Sequence, residues 1–463
     1  MKRFDQIILR LLLVLCVCFF FNPSVAQSQS PEYELELLKK TQKKVDIAIP
    51  EFVKIADSND DDSIAKKARS ILLEDLAFSE LFREISQVRF SKIKQTNQNS
   101  AQIDYQVWRD VGAQWVIKGQ YQLDSKRDSI TLIFRLFDAA NGKFVVGKRY
   151  RAKRSFLRKI VHRFADEAVK KLTGKKGIAG TRIAFVGRIR ERGKIVKEIF
   201  TADIDGHNVK KLTKDGSVLL KPAWSPEGAK VAFSSYSKKN PDLYMIDTKS
   251  KRRWLMLNLP GLNAAPSWSP NGNEIALVLS KDLNSEIYSF TKNRKLRRLT
   301  KHYSIDTSPS WSPDGGKIVF ASDRSGSGFP QIYIMDSREG DENTVTRISF
   351  NSSHNDNPAW SPDGEKIAYT SKVGEKFQIK IYFLKERKTV IFTSGDADRE
   401  GPSWSPDGSF LVFQETRNNR SNLAIKKIGG NRIRRFLPKK SGEYLMNILG
   451  EFHPAWSPYL NSP

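Results

Sequence analysis

The sequence predicts an α/β N-terminal domain followed by an all-β six-bladed propeller. Its closing blade is composite, with three strands from the start of the repeat region and one from its end. Three observations predict this. A W-S-P cassette recurs six times at the period of a four-stranded blade. The repeat region opens in mid-blade and ends on a lone first strand, and residues 41–175 lack the repeat but alternate helix-like and strand-like patterns.

The chain has 463 residues, 39% hydrophobic and 28% charged, which excludes a wholly disordered protein and allows two or three domains. Lys2, Arg3 and Arg10 precede an apolar run over residues 11–21, and Ser24-Val25-Ala26 follows it. That order predicts a secretory signal peptide over 1–26, cleaved after Ala26. The run is too short for a spanning helix. Both cysteines, Cys16 and Cys18, lie in this leader, so the mature chain is expected to hold no disulfide, thiolate metal site or cysteine nucleophile. Leu15 and Val17 precede them where a lipidation site takes a small residue, and the run reads as an ordinary signal core.

The net charge is +27, and a leader with three positive charges and one negative leaves +25 on the mature chain. Basic excess points toward polyanions, and export removes nucleic acid from the candidates. Anionic envelope glycans remain, beside the plainer reading of a well-solvated basic surface. Residues 27–40 form a charged, helix-prone arm.

In the 41–175 domain, a strand is predicted over 45–49 and a helix over 63–82. Asp57, Asp60, Asp61 and Asp62 precede that helix. They do not make a calcium loop, since no Gly holds the sixth position and Ala68 stands where a bidentate Glu is needed, so they read as dipole-complementing residues. Strands follow at 115–123, 130–137 and 143–149, with Asn141-Gly142 marking a hairpin. A helix over 156–172 carries Ile160, Phe164, Ala168 and Leu172 on one stripe, and residues 176–180 link it to the ring.

The propeller, 181–463, is marked by Trp224, Trp268, Trp311, Trp360, Trp404 and Trp456, spaced 44, 43, 49, 44 and 52 residues apart. Ser-Pro-Asp-Gly after the tryptophan supplies a turn acceptor, a preset φ and a Gly free to take φ > 0, so each cassette is a tight hairpin. The tryptophans are expected to fill the space between blades. Residues 182–187 form a second strand with no cassette before it, while Trp456 belongs to a first strand, about 454–458, with nothing after it. Joining them closes the ring and removes exposed sheet edges.

The chain resembles the TolB family, the periplasmic component of the Tol-Pal system. The resemblance is carried by VDIAIPEF from Val45, Gly112-Ala113, RLFDAANGKFVVGKRY from Arg135, VHRFADEAVKKLTGKKGIAGTRIAFVGR from Val161 and the six cassettes. It implies a non-enzymatic monomeric scaffold that binds the peptidoglycan-associated lipoprotein Pal and supports outer-membrane integrity, cell division and Tol-dependent import. It also implies an N-terminal arm that contacts TolA. The helix-prone residues 27–40 depart from the strand-like arm of the family, and Glu227 and Asn271 replace the usual turn Asp.

Strand alternation puts the segments entering the inner strands on one face, around the central channel: Leu262, Asn263, His302, Asp306, Thr307, His354, Asp356, Arg399, Glu400 and His453. They read as polar, variable loops suited to a protein partner. Joint replacement of His302, Asp306 and His354 is expected to weaken Pal binding with little change in thermal stability. The sequence lacks a G-x-S-x-G elbow, an H-E-x-x-H helix and a Walker loop, and it carries no cofactor signature. The rival enzymatic reading is a polysaccharide lyase or glycan-binding propeller, with His302, His354 and His453 converging on the channel.

Overall fold

The computed structural model describes residues 44–460 except 56–62, 92, 94–102, 192, 239, 343–344, 437 and 439–447. The signal peptide, the arm and the acidic run from Asp57 to Asp62 therefore lie outside the described residues. Among those described, no helix is long and apolar enough to cross a membrane.

The N-terminal domain is a mixed sheet of six strands: β1 (Val45–Ala48), β2 (Val53–Lys54), β3 (Phe82–Glu84), β4 (Trp115–Asp124), β5 (Ser129–Asp138) and β6 (Lys143–Lys153), in the order β3-β1-β4-β5-β6 with β2 also on β4. β5 alternates strictly enough that Ile130, Leu132, Phe134 and Leu136 all point into the core. Two helices, Ser63–Ser79 and Leu157–Thr173, cover that core, and Phe164 stacks on Phe134 at 4.5 Å. The first helix stops short of the expected residue 82. Glu80 takes φ 58°, the Ser79 hydroxyl caps the chain by donating to Leu76 O and accepting from Leu81 N, and the next residues become β3, parallel to β1. Two short helices, Gln87–Phe90 and Tyr105–Asp110, were not expected. They cover a second apolar cluster around Trp108.

The propeller has six four-stranded blades. Blades 1 to 5 begin with inner strands Leu219–Trp224, Asn263–Trp268, Asp306–Trp311, Asn355–Trp360 and Asp398–Trp404. Blade 6 is composite: Ile448–Trp456 pairs antiparallel with Arg182–Glu191, followed by Lys194–Asp203 and Lys210–Lys211. Trp456 faces Ile183, and Ser457 and Arg182 exchange hydrogen bonds of 2.8 and 3.0 Å. The closing strand begins at Ile448 rather than near 454, so the zipper is longer than expected. The outer strands are shorter, as at Thr346–Arg347, because they lie at the rim with little left to cover.

In the cassettes of blades 1 to 5 the serine hydroxyl accepts from the backbone N–H five residues on, at 2.9–3.0 Å. The following Gly sits at φ 68–76°. Indole Nε1 donors of Trp224, Trp311 and Trp404 reach carbonyls of the preceding blade's inner strand, at 3.1, 3.2 and 3.0 Å.

The domains meet on the hairpin face of the ring. Arg434 pairs with Glu80 at 2.5 Å, Lys427 Nζ donates to Ser79 O, Phe78 packs on Phe410, and Arg158 pairs with Asp205 in the turn after Lys194–Asp203. The linker is fixed as well. Asp166 accepts from Ala179 N and Gly180 N at 2.7 and 3.1 Å, and a Cβ on Gly177 would lie 2.6 Å from Asp166 Oδ1.

Candidate partner-binding face

A four-stranded antiparallel blade sends its strand 2 to 3 connection and its exit to the next blade to one side, opposite the cassette hairpins. The α/β domain occupies the hairpin side, so among the described residues it leaves this entry face uncovered. It is not mainly polar, as its sequence suggested. Leu283 and Phe329 lie in strand 2 to 3 connections, and Tyr303, Ile305 and Phe350 lie between blades; all five are exposed, Leu283 completely and Tyr303 to 84%. Tyr236 and Val218 extend the set. Among the described propeller residues, the exposed large apolar side chains other than Leu255 and Ile391, which lie on outer strands, stand at this face. Apolar clustering on one side of a ring marks an interaction surface rather than scattered surface apolarity.

The expected site residues divide into two groups. Asn263, Asp306 and Arg399 are not loop positions open to a partner. Asn263 and Asp306 start inner strands, Arg399 is the second residue of its own, and all three are buried. Asn263 bonds Leu259 O and Pro241 O. Asp306 pairs with Arg324 at 2.7 Å. Arg399 reaches Glu415, Gln378 and Ser394 O. Replacing Asp306 therefore costs stability, contrary to the sequence expectation. Burial outweighs the pull of Arg324 and holds the Asp306 carboxyl up at about 7.

His302 and His354 are half-exposed beside aromatic neighbours. His302 packs on Tyr303 at 4.2 Å, and His354 lies between Phe377 and Phe329. Leu262, Thr307, Asp356 and Glu400 are half-buried, and none of them lines the central cavity. Burial, with Asp398 and Asp356 adding, pushes the Glu400 carboxyl up.

The channel itself is built by a device the sequence reading missed. Three residues before each tryptophan, Lys221, Ala265, Ser308, Asn357, Gly401 and His453 all take positive φ, between 46° and 62°. Each is followed by proline, and each sits where the inner-strand register slips. These residues and their prolines line a central cavity of about 340 Å³. Lys221 Nζ crosses it to donate to Ser308 Oγ at 2.8 Å. Burial, with Lys221 and Lys197 nearby, drives the His453 imidazole down to about 4, so it stays neutral. Burial also lowers the Lys221 pKa, and a buried lysine nitrogen beside this histidine makes a poor cation site.

The structure does not bring His302, His354 and His453 together as ligands. Among the described residues, the side-chain groups able to surround a metal lie at the junction with the α/β domain: Asp75, His162 and Asp205, and Glu74, Asp205 and His207.

Comparison with known proteins agrees with this architecture. Residues 169–460 match the family described as the TolB beta propeller domain, and residues 33–145 match the TolB amino-terminal domain. The chain is similar to the Tol-Pal system protein TolB of Desulfosudis oleivorans, 36% identical over 56% of this chain and 58% of that protein. It is also similar to the TolB of Legionella pneumophila, 31% identical over 50% and 52%. The chain thus spans a little over half the length of the curated relatives it matches. Its fold superposes on the crystal structure of TolB from Acinetobacter baumannii with a TM-score of 0.74 at 29% identity, covering 90% of this chain and 97% of that one. With both domain families matched in order and a propeller match covering more than half its length, the chain belongs to the TolB family.

Proposed function

We propose that this protein is an exported, periplasmic scaffold that binds a Pal-like lipoprotein through the entry face of its propeller, and that it supports outer-membrane integrity and division without catalysing a reaction. The observation that carries the reading is the aromatic and aliphatic cluster of Tyr303, Ile305, Leu283, Phe329 and Phe350 on the one side of the ring the α/β domain leaves open. Such a patch supplies the desolvated anchors that dominate protein interfaces, and His302 and His354 add polar contacts at its edge. A TolA-like contact would use residues 27–40.

Titration of Pal's periplasmic domain into the purified chain tests this. Tyr303→Ala with Phe350→Ala should weaken binding by about 2 kcal/mol or more, since two exposed aromatic anchors are lost. Because both side chains are exposed, the melting temperature should hold. Unchanged affinity would refute the site.

A second reading has its own observation. Arg158, Lys159, Arg163, Lys170, Lys176 and Lys210 line a cavity of about 1450 Å³ between the domains, which suits an acidic envelope glycan. Binding there should fall steeply with added salt.

A further inference from the structure

Strand β6 (Lys143–Lys153) ends the sheet of the α/β domain: it pairs with β5 along one side and, among the described residues, with no strand along the other. Alternate backbone N–H and C=O groups of an antiparallel strand face its partner and the rest point away, so β6 presents a row of open donors and acceptors. Its register slips once, at Val145, and the pairing with β5 is regular over 146–153, a stretch without proline. The strand holds five cations and no acid, and Lys143, Lys148, Arg149, Arg151 and Lys153 are all exposed. Pleating sets Arg149, Arg151 and Lys153 on one face of the sheet. Lys148 stands on the other, where Arg163 of the helix Leu157–Thr173 lies over the Tyr150 ring at 5.8 Å. Arg151 is 3.8 Å from Asp124, whereas among the described residues Lys148, Arg149 and Lys153 have no carboxylate within ion-pair reach.

Charge on an edge strand keeps sheets of the same protein apart. Two copies of β6 laid side by side would set lysines and arginines against one another, and like charges directly opposite destabilise a sheet. Because the charge here has a single sign, the same edge that rejects its own copy attracts a strand of the opposite sign. We propose that the outer edge of β6 takes up an extended acidic segment of a protein partner as an added strand, with carboxylates at every second residue facing Arg149, Arg151 and Lys153. Backbone hydrogen bonds along 146–153 supply the hold, and the alternating cations select the partner. This edge belongs to the α/β domain and is separate from the entry face of the propeller.

The test titrates the full chain into a fluorescein-labelled peptide, Thr-Glu repeated four times, and follows anisotropy at low salt. The expected result is saturable binding of one peptide per chain, with hydrogen exchange slowed at alternate amides of 146–153. Two further peptides carry N-methyl groups on all threonines or on all glutamates. Only one of these sets faces β6, so one peptide should lose about tenfold or more in affinity and the other should bind within a factor of about three of the parent. Arg149→Glu with Arg151→Glu should weaken the parent peptide by about tenfold or more. Both side chains are exposed, so the melting temperature should hold. Absence of saturable binding, equal affinity of the two N-methylated peptides, which is adhesion by charge alone, or unchanged affinity in the double variant each overturns the proposal.

Discussion

Removing Arg324 should unfold blade 3 more readily than removing any exposed residue of the entry face. Its guanidinium joins Asp306 at 2.7 Å and Asp341 at 3.2 Å, with both carboxylates nearly inaccessible, and it lies over the Phe320 ring at 5.0 Å. Arg324→Leu keeps apolar contact with the ring but leaves two buried carboxylates without their cation, and breaking such a pair from one side costs about 3–5 kcal/mol. The loss should depend on pH. Because burial already holds Asp306 at about 7, removal of the arginine raises it further, and the carboxyl is protonated in mild acid. The full cost is therefore expected at pH 8 and a smaller one at pH 5. Adding Asp306→Asn to Arg324→Leu should recover a large part of the loss, a coupling of about 2 kcal/mol or more. Urea denaturation of the four proteins measures it, and Pal affinity measured in parallel should stay within a factor of two or three. A single-variant cost below about 1 kcal/mol, or strictly additive effects, would refute the assignment of Asp306 to the blade interior.

Other outcomes follow from the same structure. Asp166 is pushed up to about 7 by burial, against hydrogen bonds from Gly180 and Ala179, so its contribution to stability is complete below about pH 4 and lost as pH rises through 7. The stability of the unaltered chain relative to Asp166→Asn should decline over that interval, and a pH-independent difference would contradict it. Gly401→Ala should cost about 1 kcal/mol purely through its backbone, since a Cβ there meets nothing within 4 Å, and Ala265→Gly should be neutral or stabilising in thermal melts. Trp456→Ala should cost about 3–5 kcal/mol in chemical denaturation, as it empties a buried site in the composite blade.

Much of the fold was legible because its signals are local. Each Ser-Pro-Asp-Gly hairpin is specified within five residues, and the joining of residues 182–187 to Trp456 followed from counting half-blades. Other features depend on partners that a linear reading does not pair. Thr213, Thr300, Ser349 and Thr393 each donate to an acidic or amide residue on the neighbouring strand, Glu198, Glu286, Gln331 and Gln378. The chemistry recurs while the residue identities change, so no motif appears. The positive φ before each proline falls on Lys, Ala, Ser, Asn, Gly and His, a set without common propensity, because the ring geometry imposes the conformation. Asn263, Asp306 and Arg399 looked like loop residues since polarity in sequence does not reveal burial in a satisfied network. Asp75, His162 and Asp205 meet across two domains and 130 residues.

The zipper between Arg182–Glu191 and Ile448–Trp456 also sets a timetable. The first propeller strand to leave the ribosome is paired on one side at once by Lys194–Asp203, but its other edge waits for the last strand. At about 5–20 residues per second, synthesis of the intervening chain leaves that edge bare for on the order of 10–50 s. During that wait the edge can recruit any passing β-segment, so a holding factor that shields nascent chains has one defined stretch to cover.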